Sequence, residues 1–600
     1  MLFRSNLTTS GGSGTKTLAG AVVVAGNLTI GAGTTVDVGG SNFGITVAGN
    51  WANGGTFTPG SGLVTFNGSG AQTIGTAASL TFNNVTVNKS AGALTMLTTT
   101  SLTVNDLTMT AGSFTPPATL TINGNATLTA GTLTAGTTIN VGGNWSNNGG
   151  IFTQGSGTVN FNGTGAQAIN GSAASQTFNH LTINKSSGSA TLGGTVSVGG
   201  NLTITAGTLD TASNSVTLSG NFSNSGTFTA GSSAITIAGT AAQSINGFTT
   251  TGTVSMTKTA NTATFNGNVN GGGLTINGTG GTLNLGTSLT HTFTGTWTRT
   301  AGTLDGGSST LKLGNATAFS GTGGTFTAST GTVEYNAAGA QSVAGVTYNN
   351  LTLSGSGAKT TTGATVNGIL SMEGTATTTG TVATYGAAAT LQYKGSAAQT
   401  TGTEFPATWS GSGGVIIANG NGTGVTLAAN KTVNAPCTVN NGAVLTLGSA
   451  IVLSGSGAFT LSAGGTLAIA STAGITSSGA TGNIQMTTRN FDAAGNYTYN
   501  GSAAQATGNG LPTTLTGTLT IANGVSTGVT LSQNTAINTA GTCVVNNGAL
   551  LTLGSSIVLS GSGAFTLSSG GTLAIAHASG IDGNITTTTK TFDPAANYTY

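Results

Sequence analysis

Short stretches in which apolar residues alternate with threonine run through the chain. Leu28-Thr29-Ile30, Leu120-Thr121-Ile122, Leu202-Thr203-Ile204 and Ile235-Thr236-Ile237 are examples. A period of two sets the apolar side chains on one face of a strand and threonine on the other. Gly-Asn and Asn-Gly pairs between the stretches supply the positive φ of tight turns. Proline, which interrupts a ladder of paired strands, occurs only 7 times. The last apolar residue of successive strands falls at Val47, Phe66, Val87, Val104, Ile122 and Val141, a nearly even spacing. A repeat of about 19 residues built from such strands predicts a β-solenoid.

The rungs group into larger modules. Gly49-Asn50-Trp51 returns as Gly143-Asn144-Trp145, and Gly70-Ala71-Gln72 as Gly165-Ala166-Gln167, about 95 residues on. Cys437 to Ile475 returns nearly letter for letter at Cys543 to Ile581, about 106 residues on. The expected architecture is therefore all-β: an elongated right-handed parallel β-helix of roughly 31 rungs, the hand following from the crossover rule. Residues 1–250 carry the shorter modules, 251–393 diverged repeats, and 394–600 the longer modules. Three or more strands per rung leave no room for the four-stranded blades of a propeller. Asn597-Tyr598-Thr599-Tyr600 repeats Asn496-Tyr497-Thr498-Tyr499 at the point where the next rung would follow. The expectation is a chain truncated there and continued by other segments of a longer polypeptide.

Composition narrows the partners. Charged residues are 4% of the chain and net charge is +2, against about 25% charged in ordinary soluble domains. The nine lysines and three arginines stand singly, whereas phosphate backbones require clustered cations, so no nucleic-acid partner is expected. No apolar run is long enough for a transmembrane helix. Hydrophobic residues at 37% argue against a disordered low-complexity chain.

The Gly-Asn-Trp-(Ser/Ala)-Asn turns, Gly55-Thr56-Phe57-Thr58-Pro59-Gly60-Ser61-Gly62, and the Phe-Asn-Asn/His-Val/Leu-Thr-Val/Ile-Asn-Lys-Ser segments at 82–90 and 178–186 resemble the β-strand repeats of large bacterial surface and secreted proteins. More loosely, the chain is similar to autotransporter passengers and filamentous-haemagglutinin-type adhesins. The resemblance implies an extracellular or cell-surface solenoid engaged in adhesion or surface structure, with extracellular polysaccharide or host matrix as the expected partner.

Candidate chemistry is sparse. The acidic residues are Asp37, Asp106, Asp210, Asp305, Glu334, Glu373, Glu404, Asp492, Asp582 and Asp593, most of them several rungs from the next. Glycoside hydrolysis needs two carboxylates about 5–10 Å apart. Asp210 and Asp305 share one repeat position, as do Asp492 and Asp593, which reads as a turn role. His180 and His577 stand where the other copies carry Asn84 and Ser471, and no second ligand lies at metal spacing. No catalytic residue, metal site or cofactor is expected. Cys437 and Cys543 are equivalent positions about five rungs apart, too far for a disulfide, so both should be free core thiols. Trp51 and Trp145 are the candidate ligand-binding residues: an exposed indole at a repeated corner stacks on sugar rings, although an indole capping the core at such a corner is the commoner case. Thr127-Leu128-Thr129 and Thr132-Leu133-Thr134 would suit an ice-binding threonine ladder, although uneven rung length spoils the strict period such a ladder needs. The reading is a non-enzymatic bacterial adhesin rod or structural spacer. The alternatives are a polysaccharide-binding or polysaccharide-cleaving β-helix and, behind it, an ice-binding ladder.

Overall fold

A computed structural model describes residues 1–600 apart from 11, 76–78, 98–99 and 174. The chain is a β-solenoid of parallel stacked strands, about 28 turns of about 21 residues, so the rungs are fewer and longer than the sequence period suggests. The sequence interval between partners on neighbouring turns is short at Leu102 and Leu120 and much longer at Leu453 and Ile484. The extra length sits mainly in turns such as 470–483, and the strands stay paired across it with one register shift between Gly455 and Ala458. Contacts divide the chain into two compact units: Met1–Asp305 with Gly321–Thr325, and Gly306–Ser320 with Phe326–Tyr600. The changes of repeat type expected at 250 and 394 fall inside these units. Among the described residues the one helix is Ile581–Asn584.

Within the first unit each turn contributes strands to three faces. One face can be followed through Leu80, Leu102, Leu120, Ile139, Val159, Leu181, Leu202 and Phe222, each paired with the next and each at most 5% exposed. Like side chains stack on like at the strand spacing of about 4.8 Å, so the alternation written in one rung is enforced by the next. The outward column beside it runs Thr103, Thr121, Asn140, Asn160, Thr182, Thr203 and Ser223.

Corners are held by side chains that reach one rung forward. Asn6 Oδ1 accepts the Asn27 N–H, Asn27 that of Asn50, and Asn50 that of Thr73. The next ladder runs Asp106, Asn125, Asn144 to Ala168, and the one after it His180, Asn201, Asn221 to Ser244. Asn, Asp and the Nδ1 of His are interchangeable here because each presents an acceptor at the same reach.

Cys437 lies between Val415 and Phe459, and Cys543 between Leu519 and Phe565. Both thiols are free and buried, and burial pushes both up to about 12. They fill small inward positions. His291, fully buried, accepts the Val269 N–H at Nδ1 (3.0 Å) and bonds the Leu285 carbonyl through Nε2 (2.8 Å), which requires the neutral ring protonated at Nε2.

Burial holds the His291 pKa below its ordinary 6.5, against the pull of its two backbone hydrogen bonds. The unfolded chain takes up this proton near pH 6.5 while the folded chain resists it. The stabilising contribution is therefore complete above about pH 6.5 and is lost as pH falls through the lower folded value. Thermal melts between pH 7.5 and 5, on a scale of about 1.4 kcal/mol per pH unit for one proton, should show this slope, and His291→Gln should flatten it.

Candidate functional site

Trp51 and Trp145 are not exposed platforms. Each is 1% exposed, which corrects the sugar-stacking expectation. In Gly-Asn-Trp the asparagine turns outward to its corner ladder, and the strand alternation then sends the next side chain inward. Trp51 packs edge-on to Phe57 and Phe82 at 5.0 and 5.1 Å between centroids. Trp145 packs likewise on Phe152 and Phe178 at 4.9 and 5.6 Å, and its indole N–H donates to Gln176 Oε1 at 3.2 Å.

Carboxylates at repeat positions serve turns. Asp210, Asp492 and Asp593 each accept the N–H two residues on, at 2.8 to 2.9 Å. Asp582 pairs with Lys590 at 2.8 Å, and the hydrogen bond and charge of Lys590 hold its carboxyl below the ordinary value. His577 Nδ1 accepts the Ser579 N–H at 3.0 Å. Among the described residues no three His, Cys, Asp or Glu side chains gather into a metal-binding group.

More than half of the lysines are drawn inside. Lys89, Lys185, Lys258 and Lys359 are 0–1% exposed, and each ammonium finds the same cradle. Lys89 Nζ donates to Gly68 O (3.0 Å), Gly70 O (2.8 Å) and Gln72 Oε1 (2.7 Å). Lys185 repeats this with Gly163, Gly165 and Gln167, Lys258 with Ala241 and Gln243, and Lys359 with Ala337, Gly339 and Gln341. The glutamine amide in turn donates to carbonyls of the rung below: Gln72 to Val47 and Gly49, Gln167 to Val141 and Gly143. Carbonyl dipoles stand in for a counter-ion, and burial pulls each lysine below its ordinary pKa. In the longer modules an asparagine takes the place of lysine: Asn419 donates to Ala397 O and Gln399 Oε1, and Asn523 to Ala503 O and Gln505 Oε1. Glycine is required above the cradle. Gly112 and Gly207 have φ of 77° and 79°, and a Cβ there would fall 2.5 and 2.7 Å from the Lys89 and Lys185 Cβ atoms. This node was missed in the sequence, yet two signals marked it. The lysine continues the inward phase of its strand (Val85, Val87, Lys89; Leu181, Ile183, Lys185). Gln72, Gln167, Gln243 and Gln341 precede the four lysines at a nearly constant interval.

One place in the second unit departs from this order. The face strand Thr390–Tyr393 stays paired to Ile369–Met372 on one side and Gly414–Ile417 on the other. The other two faces break: Ser356–Thr360 and Thr375–Thr379 end one sheet and Gln399–Thr400 opens another, while Thr384–Tyr385 ends a third and Thr408–Trp409 starts its own run. The turn is thus closed on one face and splayed on two, beside the change of repeat type expected at 394.

The splayed turn is filled by the segment 401–407. Glu404, 3% exposed, accepts Tyr393 Oη–H at 2.6 Å and the Gly402 N–H at 2.7 Å on one oxygen, and Thr378 Oγ–H at 2.6 Å on the other. Tyr385 donates to the Glu404 carbonyl at 2.6 Å. Lys431 donates to the Phe405 carbonyl and lies over the Phe405 ring, 5.0 Å from its centroid. Burial lowers the Lys431 pKa and the Glu404 charge raises it back in part. Burial, then the charge of Glu404, raises Tyr385 and Tyr393. Outside this cluster a cleft of about 390 Å³ is lined by Tyr385, Gly386, Pro406, Thr408, Trp409 and Ser410, among others. The site holds one carboxylate whose oxygens are engaged by three donors, with no second carboxylate in the set.

Acylation of the native protein with an amine-reactive ester, read by peptide mass spectrometry, should modify the exposed Lys16 and Lys394 and spare Lys89, Lys185, Lys258 and Lys359 until the chain is denatured. Glu404→Ala strands the buried hydroxyl of Tyr393, whereas Thr378 keeps Thr403 as a partner, and should destabilise the second unit by about 1–3 kcal/mol, the cost of one orphaned group, measured by denaturant titration. Compared with known proteins, the chain matches no family model, no curated protein and no solved structure.

Proposed function

We propose that the protein is a non-enzymatic bacterial cell-surface or secreted β-solenoid that acts in adhesion or as a structural spacer. The observation that supports this reading most is where the charge goes. Five of the nine lysines (89, 185, 258, 359 and 431) and Glu404 are buried as structural groups, and outward strand positions carry mainly Thr, Ser and Asn. Such a surface offers few sites to trypsin-like proteases and little for salt to screen. Acid–base catalysis on a polysaccharide asks for a second carboxylate near the first, and Glu404 has none in its hydrogen-bonded set. The resemblance to bacterial surface repeats points the same way.

The test is a binding screen of the purified chain against a panel of polysaccharides and matrix proteins, at low and high salt, with hydrolysis products assayed in parallel. Saturable binding that changes little with salt supports an adhesive segment, and no binding supports a spacer. Release of oligosaccharides from any panel member would overturn the non-enzymatic reading.

A further inference from the structure

One inward position breaks the pattern of its repeat. The strand Ser175–Phe178 corresponds to Ser79–Thr81 in the first module, and Gln176 stands where that copy has Leu80. Both pair forward with an aliphatic residue, Leu80 with Leu102 and Gln176 with Val196. Leucine asks for no partner there, whereas an amide withdrawn from water must be met at both ends. Gln176 is 3% exposed, and one end is met: Oε1 accepts the Trp145 indole N–H at 3.2 Å. An indole can only donate, so it fixes which way the amide lies. Nε2 is the end left over, buried and with no hydrogen-bond partner among the described residues. A cavity of about 210 Å³ lies beside it, lined by Trp145, Asn147, Phe152, Ser175, Gln176 and Thr177, among others. The ladder is interrupted here. Ile151–Thr153 pairs with Thr132–Thr134 on the turn before, Ser175–Phe178 with Thr195–Val198 on the turn after, and no ladder joins the two to each other. Asn147, 8% exposed, accepts the Gly149 N–H at Oδ1 (3.2 Å), so its Nδ2 is the end that can donate. Ser175 and Thr177 add exposed hydroxyls. Among the described residues no charged side chain lines the cavity.

We propose that this cavity binds one ring of a neutral sugar, with a ring hydroxyl accepting from Gln176 Nε2 and others bonded to the Asn147 amide and the Ser175 and Thr177 hydroxyls. A sugar hydroxyl donates and accepts at once, which suits a wall of two amides and two hydroxyls. An ionic ligand would find no counter-charge in this lining. The volume lies below the roughly 300–1,000 Å³ of sites for larger organic ligands, so it admits a single ring and not an oligomer. A polar side chain at a position where the repeat asks for an apolar one is the kind of local departure that marks a functional site. The part of Trp145 is to hold the amide, not to offer a stacking face. The proposal goes beyond the adhesin-or-spacer reading and does not rest on it.

The test is saturation-transfer NMR on the full chain, titrated with glucose, galactose, mannose and N-acetylglucosamine into the tens of millimolar. The expected result is saturable transfer to at least one of these sugars. Gln176→Leu gives the cavity the residue of the first module, where the buried Trp51 indole N–H is likewise without a partner among the described residues, so the variant should fold. It should weaken binding about tenfold, the worth of one lost hydrogen bond, with circular dichroism unchanged and melting temperature not lowered. Ser175→Phe, at an exposed position of the lining, should block the cavity and weaken binding as much. Sulfate serves as the competing probe. No saturable transfer to any of these sugars, binding unchanged in both variants, or sulfate bound in place of sugar with the same loss in Gln176→Leu would each overturn the proposal. Polysaccharide binding that persists in both variants, with no transfer to the free sugars, removes this site and leaves the adhesive reading standing.

Discussion

Parallel strands stacked in register make every inward position the neighbour of another inward position one turn away. That constraint governs what each side chain can be. An inward leucine is covered above and below by Leu, Ile or Val, as at 102, 120 and 139. An inward polar group must find its partners from the neighbouring turns, because burial withholds water from it. The Lys–Gln node is the repeated solution: one ammonium, one amide and carbonyls from the turns below close a set in which donors and acceptors balance. The exchange of Lys for Asn at 419 and 523 keeps the donor to the glutamine oxygen while removing a buried charge.

The same constraint explains the corners. A residue at a turn cannot join the ladder of the strands, so its backbone N–H is met by a side chain of the previous rung. Asn6, Asn27 and Asn50 form one such series, and His180 stands in another as an acceptor equivalent to asparagine. Variation in rung length is absorbed at these turns. Leu102 therefore stacks on Leu120 in the same register in which Leu453, across a much longer turn, stacks on Ile484.

At the turn between Thr384–Tyr385 and Thr408–Trp409 the constraint fails on two faces. The chain answers with aromatic rings and a buried carboxylate in place of stacked aliphatics: Tyr393, Tyr385, Thr378 and Glu404 fill the splay with hydrogen bonds of 2.6 Å. Chemistry-bearing side chains gather there because ordinary stacking cannot fill the space.

The solenoid was legible in the sequence because its signal is local. Period-two alternation, turn pairs of Gly and Asn, and a short recurring interval between strand ends each follow from backbone geometry within a single rung. The free, buried state of Cys437 and Cys543 follows from their spacing. The side of the wall on which an indole falls was harder to read. Trp51 and Trp145 follow a corner asparagine, and only the strand that begins after it sets their phase inward. The lysine node carried its inward phase openly in Val85-Thr86-Val87-Asn88-Lys89. A buried ammonium nevertheless reads as an outward residue until the carbonyls of the turn below are in place to receive it. The splayed turn at 385–408 was decided by tertiary structure alone. Whether a strand edge is paired depends on the turn that stacks against it, and no property of Thr384–Tyr385 or Thr408–Trp409 in isolation records that their partners are missing.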